Sequence, residues 1–222
     1  MPMNAIYHGP ADLPAVIPVF PLPGALLLPR GQMPLNIFEP RYIAMIDAAI
    51  AGDRLVGMVQ PALSEAVLPA NPPLCGIGCL GRITQFSETG DGRYLVTLSG
   101  VSRFRIVEEL VALTPYRQCR IAVDEFPDLA EPRKGEDEVD RTALLRTFRA
   151  YLQANGMDAD WDSVDRASNA GLVTALSMMS PWGPSEKQAL LEAPDHATRA
   201  KTLIAITEIS LAGSNAPASP LH

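Results

Sequence analysis

The chain has 222 residues, 47% of them hydrophobic and 19% charged, so it can bury a substantial core and is not a disordered polymer. Its formal charge of -7, its scattered arginines and its only three lysines (Lys134, Lys187, Lys201) argue against a nucleic-acid-binding surface. No apolar run approaches the roughly 18 residues that span a membrane, residues 1–15 lack the basic start of a secretory signal, and the 3 cysteines are an odd number; a cytoplasmic protein with reduced thiols is expected.

The 21 prolines fall mostly before Pro132, which predicts short strands there rather than long helices. In chain order, Ile17-Pro18-Val19-Phe20 and Leu26-Leu27-Leu28 are strand candidates separated by a Pro/Gly turn, and Met33 to Phe38 is a third. Pro40 suits the first turn of a helix over Arg41 to Ile50, ended by Gly52. Leu55 to Val59 returns to strand, and Ala62 to Pro73 is expected to be a long loop.

Between Gly76 and Phe126 the alternation is clearest. Tyr94, Val96 and Leu98 share a face, as do Phe104 and Ile106 with Arg103 and Arg105 opposite, and Cys119, Ile121 and Val123 with Gln118, Arg120 and Asp124 opposite. Asp91-Gly92 suits a hairpin turn, and Gly100 is expected to break a second strand pair.

The polar stretch 127–136, with Pro127 and Pro132, reads as a linker between a β-rich part (1–126) and a helical part (137–212), followed by a flexible tail (213–222). Leu145, Phe148 and Leu152, flanked by Leu144 and Tyr151, form one helical stripe; Leu172, Leu176 and Met179 form another. Ser185 and Gln188 have capping-box spacing for a short helix through Leu191. Residues 197–211, with Leu203, Ile204, Ile206 and Ile209, are expected to form the most buried helix.

Catalytic chemistry finds little support. Of the three histidines, His8 lies in the lead, His222 is terminal, and His196 is expected to face solvent, so no base is available to a Cys or Ser nucleophile. Cys75 and Cys79 are spaced C-x3-C around apolar residues, and read as small core-facing residues rather than a zinc or redox pair. Gly76, Gly78 and Gly81 match a dinucleotide-binding spacing but lead from loop into strand, without the helix end that would hold an anion. The acidic runs at Glu108-Glu109 and Glu131 to Asp140 read as solvated. No cofactor or metal is expected.

The segment Ile17-Pro18-Val19-Phe20-Pro21-Leu22-Pro23-Gly24, then Leu28-Pro29, Met33-Pro34-Leu35 and Ile37-Phe38-Glu39-Pro40-Arg41-Tyr42, resembles the opening of the amino-terminal domain of Lon proteases. The likeness continues at Gly76-Ile77-Gly78-Cys79, Asp91-Gly92-Arg93-Tyr94 and Gly100-Val101-Ser102-Arg103-Phe104. It implies an α+β fold: a PUA-like antiparallel β-pseudobarrel with an inserted helix, followed by a helical bundle. It also implies a non-catalytic protein-recognition module, whose partners are unfolded or client proteins and Lon or another protease. The sequence contains neither a P-loop nor a Ser-Lys peptidase segment, so a peptidase label would rest on association alone. A small-molecule or RNA-binding PUA-like module is the alternative, and a hydrolase with an unrecognised site a more distant one. Phe38, Glu39, Arg41 and Tyr42, at the helix entrance, are the candidate protein-binding residues. They also have a structural reading, in which Phe38 and Tyr42 pack on the barrel and Glu39 and Arg41 neutralise one another.

Overall fold

The computed structural model describes residues 5–62 and 71–214. Most of the loop expected over 62–73 therefore lies outside the described residues, as does the expected tail from residue 215. In order, the elements are β1 (Val16–Pro21), β2 (Gln32–Ile37), α1 (Pro40–Ala51), β3 (Leu55–Val59), β4 (Ile77–Glu88), β5 (Tyr94–Leu110) and β6 (Arg117–Ala122). The helices α2 (Arg141–Ala154), α3 (Trp161–Arg166), α4 (Asn169–Met179), α5 (Pro184–Glu192) and α6 (His196–Ser214) follow.

The strands form one mixed sheet in the order β2-β5-β4-β3-β1-β6, and it curls until β6 pairs with β5 as well as with β1. The result is an α+β pseudobarrel followed by helices. Only β1 and β3 run parallel, and β2 with α1 supplies the crossover that a parallel pair requires. The 17-residue β5 serves two neighbours: its first half pairs with β2 and its last residues with β6. Register shifts against β4 at Leu80/Gly81 and against β6 at Ile106/Glu108 bend it between them.

Gly100 does not break a strand pair; it lies within β5 because another segment crosses it. A Cβ there would stand 2.0 Å from the carbonyl oxygen of Leu28. The Arg30 amide donates to the Gly100 carbonyl and the Gly100 amide to the Gly31 carbonyl, both at 2.8 Å. Leu26-Leu27-Leu28 is accordingly not a strand: it is an irregular crossing segment, fully buried because it lies over the barrel. Phe104 fills the barrel interior, where a Cβ on Gly78 would come within 2.5 Å of its ring. Gly81 likewise abuts Leu27 and Leu98, so packing accounts for both glycines within β4, while Gly76 precedes the strand in open surroundings.

In α1, Pro40 occupies the first turn, and Tyr42, Met45, Ile46 and Ala49 are buried at the spacing of one helical face. They join a core that continues without interruption into Leu144, Leu172, Val173, Leu176, Leu190 and Leu203 of the helices.

Four helical expectations change. The buried line of α2 is Leu144, Thr147, Tyr151 and Leu152, with Leu145 and Phe148 on its flank. In α4, Met179 is 76% exposed: it is the helix's last residue and lies off the side on which Met178 packs against the core. In α6, Ile209 is exposed together with Lys201, Ala205 and Glu208, so this helix has a solvent face and is not the most buried. The capping box at Ser185 is absent. Gly183 caps α5, Pro184 fills its first position, and the Gln188 amide instead donates to the Ile77 carbonyl (3.1 Å).

Arg103 departs furthest from expectation. Alternation puts it opposite Phe104, yet it is 2% exposed, because the α5–α6 junction covers that face. Its guanidinium donates to both oxygens of Asp128 (2.8–3.2 Å) and to the carbonyls of Leu191 (3.3 Å), Ala193 (2.5 Å) and Pro194 (3.4 Å). Replacing Asp128 by Asn should leave Arg103 and the neighbouring buried Arg199 with only the α5 carbonyls and the more distant Asp195 to balance them. The expected cost is about 3 kcal/mol, or about 10 °C in Tm, read by thermal or urea denaturation. A loss below about 1 kcal/mol would show that the pair adds little.

His196 does not face solvent. Its ring is partly buried, with Nε2 3.3 Å from the Pro132 carbonyl and Nδ1 buried without a partner. Burial, reinforced by the Arg199 charge, holds its pKa below the ordinary value. Nearby, Arg133 and the Ala170 amide hold the Glu136 carboxyl down to about 2 against its burial. In both cases the unfolded chain takes up its proton at a higher pH than the folded one, so acid favours unfolding. Stability should be full above about pH 6.5, decline as His196 titrates, and decline again below about pH 4.5 as Glu136 is forced to protonate. A His196→Asn variant should flatten the first decline in a Tm-versus-pH series while leaving the second.

Candidate functional site

A groove of about 930 Å³ opens where the end of β1, the end of β2, the start of α1 and the β5–β6 loop meet. Phe38, Glu39, Arg41 and Tyr42 all line it, but they do different work. Tyr42 is 7% exposed, with its ring centroid 4.1 Å from that of Phe20, and burial pushes its hydroxyl pKa up. The Arg41 guanidinium lies 4.6 Å from the Tyr42 ring centroid and pairs with Glu39 at 2.8 Å. Glu39 and Arg41 thus neutralise one another. Phe38 is 63% exposed and does not pack on the barrel as the structural reading expected, because it precedes the helix and lies off its buried face.

The facing wall was missed by sequence reasoning. Arg117 grips Glu109 with two bonds (2.6 and 2.5 Å) and donates to the Pro72 carbonyl (2.7 Å), tying the strand to the residues at 71–72. Between them the chain leaves the sheet, and Val111 and Leu113 stand fully exposed at 107%. Thr114 and Gln118 brace this loop internally: the Thr114 hydroxyl donates to the Tyr116 carbonyl and the Gln118 amide to Thr114 Oγ1. Val111-Ala112-Leu113, an apolar run before Thr114-Pro115 where a turn should be polar, was the available signal.

Both cations on this groove, Arg41 and Arg117, are therefore paired with carboxylates, and what remains open to a ligand is uncharged: apolar side chains and prolines, interspersed with the exposed amides of Asn36 and Asn71. Cys79 and Cys119 are buried, which raises both thiol pKa values, that of Cys119 to about 11; Cys75 is half-buried and raised likewise. Among the described residues no group of three or more His, Cys, Asp or Glu is placed to hold a metal ion. The acidic run at Glu108-Glu109 pairs with Arg120 and Arg117 rather than forming an acid/base couple.

The fold is a curled sheet backed by helices, with a groove whose charges pair among themselves. The chain belongs to the family of the ATP-dependent protease La (Lon) substrate-binding domain, whose profile matches residues 16–208. It is 28% identical to Lon protease 2 of Myxococcus xanthus and 30% identical to the Lon protease of Anaeromyxobacter dehalogenans, in each case over 87% of this chain and 23% of the relative. It thus spans under a quarter of those proteins' length. The crystal structure of a Lon N-terminal domain protein from Xanthomonas campestris shares the fold (TM-score 0.60, 22% identity), covering 86% of this chain and 97% of that one. The N-terminal domain of a Mycobacterium avium complex Lon protease does so as well (TM-score 0.57, 20% identity, covering 87% and 98%).

Proposed function

We propose that this chain is a non-catalytic module that holds unfolded or client proteins by uncharged, apolar segments laid in the Phe38 groove. One observation carries the reading: the groove's charges pair among themselves, leaving exposed Phe38 and Val111 on its walls and Leu113 beside it. An extended peptide there would bury apolar side chains and meet no unpaired charge, the condition for tolerant recognition of many sequences. The groove's volume lies at the upper end of the range of ligand clefts, enough for a short extended segment. Membership of the Lon substrate-binding family supports the same reading, with Lon or another protease as a further partner.

In this groove the RNA-binding alternative is disfavoured, because Arg41 and Arg117 are engaged by carboxylates. A cytoplasmic location is supported by three unpaired thiols. No helix among the described residues is long and apolar enough to cross a membrane.

The test uses the full chain and a reduced, permanently unfolded protein as ligand. Phe38→Ser and Val111→Ser should each weaken binding several-fold, about tenfold at a central contact, with Tm unchanged. Tyr42→Ala should instead lower stability by about 3 kcal/mol, because it empties the contact with Phe20. Binding should vary little between low and high salt. Unchanged affinity in both serine variants would move the site elsewhere. Peptide or phosphate release from casein and ATP that follows the protein through purification would refute the non-catalytic reading.

A further inference from the structure

A second concavity lies away from the groove, where the crossing segment over the barrel meets α4. It has a volume of about 460 Å³, and its lining includes Arg30, Arg133, Thr174, Ala175, Met178 and Met179. Gly171, Thr174, Ala175 and Met178 recur at the i, i+3, i+4, i+7 spacing, so one face of α4 forms the floor. Met179, 76% exposed, continues the floor outward with a flexible thioether that can adapt to varied partners.

The chain carries -7, yet two guanidiniums and no carboxylate line this cleft; Glu136 pairs with Arg133 through Nε behind the lining, so the local excess of charge comes from Arg30. Arg133 is 66% exposed at its side chain and shares only its Nε with Glu136. Arg30 is exposed, and among the described residues its side chain makes no hydrogen bond or ion pair. Its backbone sits at φ 66, a left-handed conformation that glycine or asparagine takes readily and a long side chain takes only at a cost. Structure alone gives no return for an arginine there. An anionic partner would, because the guanidinium offers planar paired donors to a carboxylate.

We propose that this cleft docks an acidic segment of a partner protein, its carboxylates on Arg30 and Arg133 and an apolar side chain over Met178 and Met179. This surface is independent of the Phe38 groove: it is salt-sensitive and charge-selective where the groove is neutral.

The experiment measures fluorescence anisotropy of a labelled peptide of alternating glutamate and leucine against the full chain, beside the same peptide with lysine for glutamate. The acidic peptide should bind and the basic one should not, and affinity should fall at least about tenfold between 0.05 and 0.3 M salt. Arg30→Asn, which suits the left-handed backbone and so preserves folding, should weaken binding about tenfold. Met179→Ser should weaken it about threefold, and Phe38→Ser should leave it unchanged. Four outcomes overturn the proposal: equal binding of the lysine peptide, indifference to Arg30→Asn, loss of binding in Phe38→Ser, or displacement by tripolyphosphate as effective as by the unlabelled peptide. The last would mark an anion site without apolar recognition. Failure here leaves the groove untouched, since the groove is tested with a different ligand and different variants.

Discussion

Two arginines converge on the carboxyl end of α5, and the relation of helices to barrel depends on them. A helix ends with carbonyls that have no intrahelical partner and with a partial negative charge from its aligned peptide dipoles. Arg103 reaches there from β5 and Arg199 from α6: the first takes the carbonyls of Leu191, Ala193 and Pro194, the second those of Leu190 and Ala193. One buried carboxylate, Asp128, would not by itself balance two buried cations. The helix end supplies the rest, and every N–H of the Arg103 guanidinium has an acceptor. Burial and the neighbouring Arg103 charge lower the Arg199 pKa only to about 10, so it stays charged at neutral pH.

This anchorage bears on the groove at some distance. Gln60, buried at the end of β3, accepts from the Gly24 amide and donates to Pro184 and Gln188 of α5. The Leu22-Pro23 wall of the groove is thus fixed through Gln60 to the same helix that Arg103 caps. Cutting the chain after Asp128 would strip Arg103 of its carbonyls, Gln60 of its amide partner and the shared core of Leu172, Val173 and Leu176. Binding by such a fragment would report on a damaged groove, so the recognition surface has to be probed in the full chain.

Period-two and helical patterns made much of the fold legible. The bounds of β3 and α1 follow from Leu55 to Val59 and from Pro40 and Gly52. What escaped were residues whose surroundings come from distant sequence. Alternation assigns Arg103 to the face opposite Phe104, but nothing local says that α5 and α6 cover that face, so it is among the most buried residues. Leu26-Leu27-Leu28 has a strand's composition without a strand's partner, since burial requires only coverage and pairing requires a free edge. At the site, Tyr42 was legible as core from its i, i+3, i+4, i+7 companions Met45, Ile46 and Ala49, while Phe38, outside the helix, had no period to obey. Arg117 was invisible as a loop anchor because its partners Glu109 and Pro72 are brought to it by the curl of the sheet.

Exposed ion pairs such as Glu39–Arg41 are worth at most about 1 kcal/mol in stability, so folding alone gives a weak reason to keep them on a groove. Their effect on a ligand is larger in consequence: an unpaired guanidinium beside Tyr42 would favour carboxylates and reject basic segments. Pairing removes that preference and leaves shape and apolar contact to decide what enters. At the α4 cleft the arrangement differs: Arg133 is paired with Glu136 through Nε alone, while Arg30 is unengaged among the described residues and no carboxylate lies in the lining. A chain this acidic repels most acidic partners at long range, so a local pair of guanidiniums can capture one only when its geometry offers close, paired contact. If both proposed surfaces bind, they would discriminate by different physics, one by desolvation and one by charge, and a single client could engage both without either being specific for its full sequence.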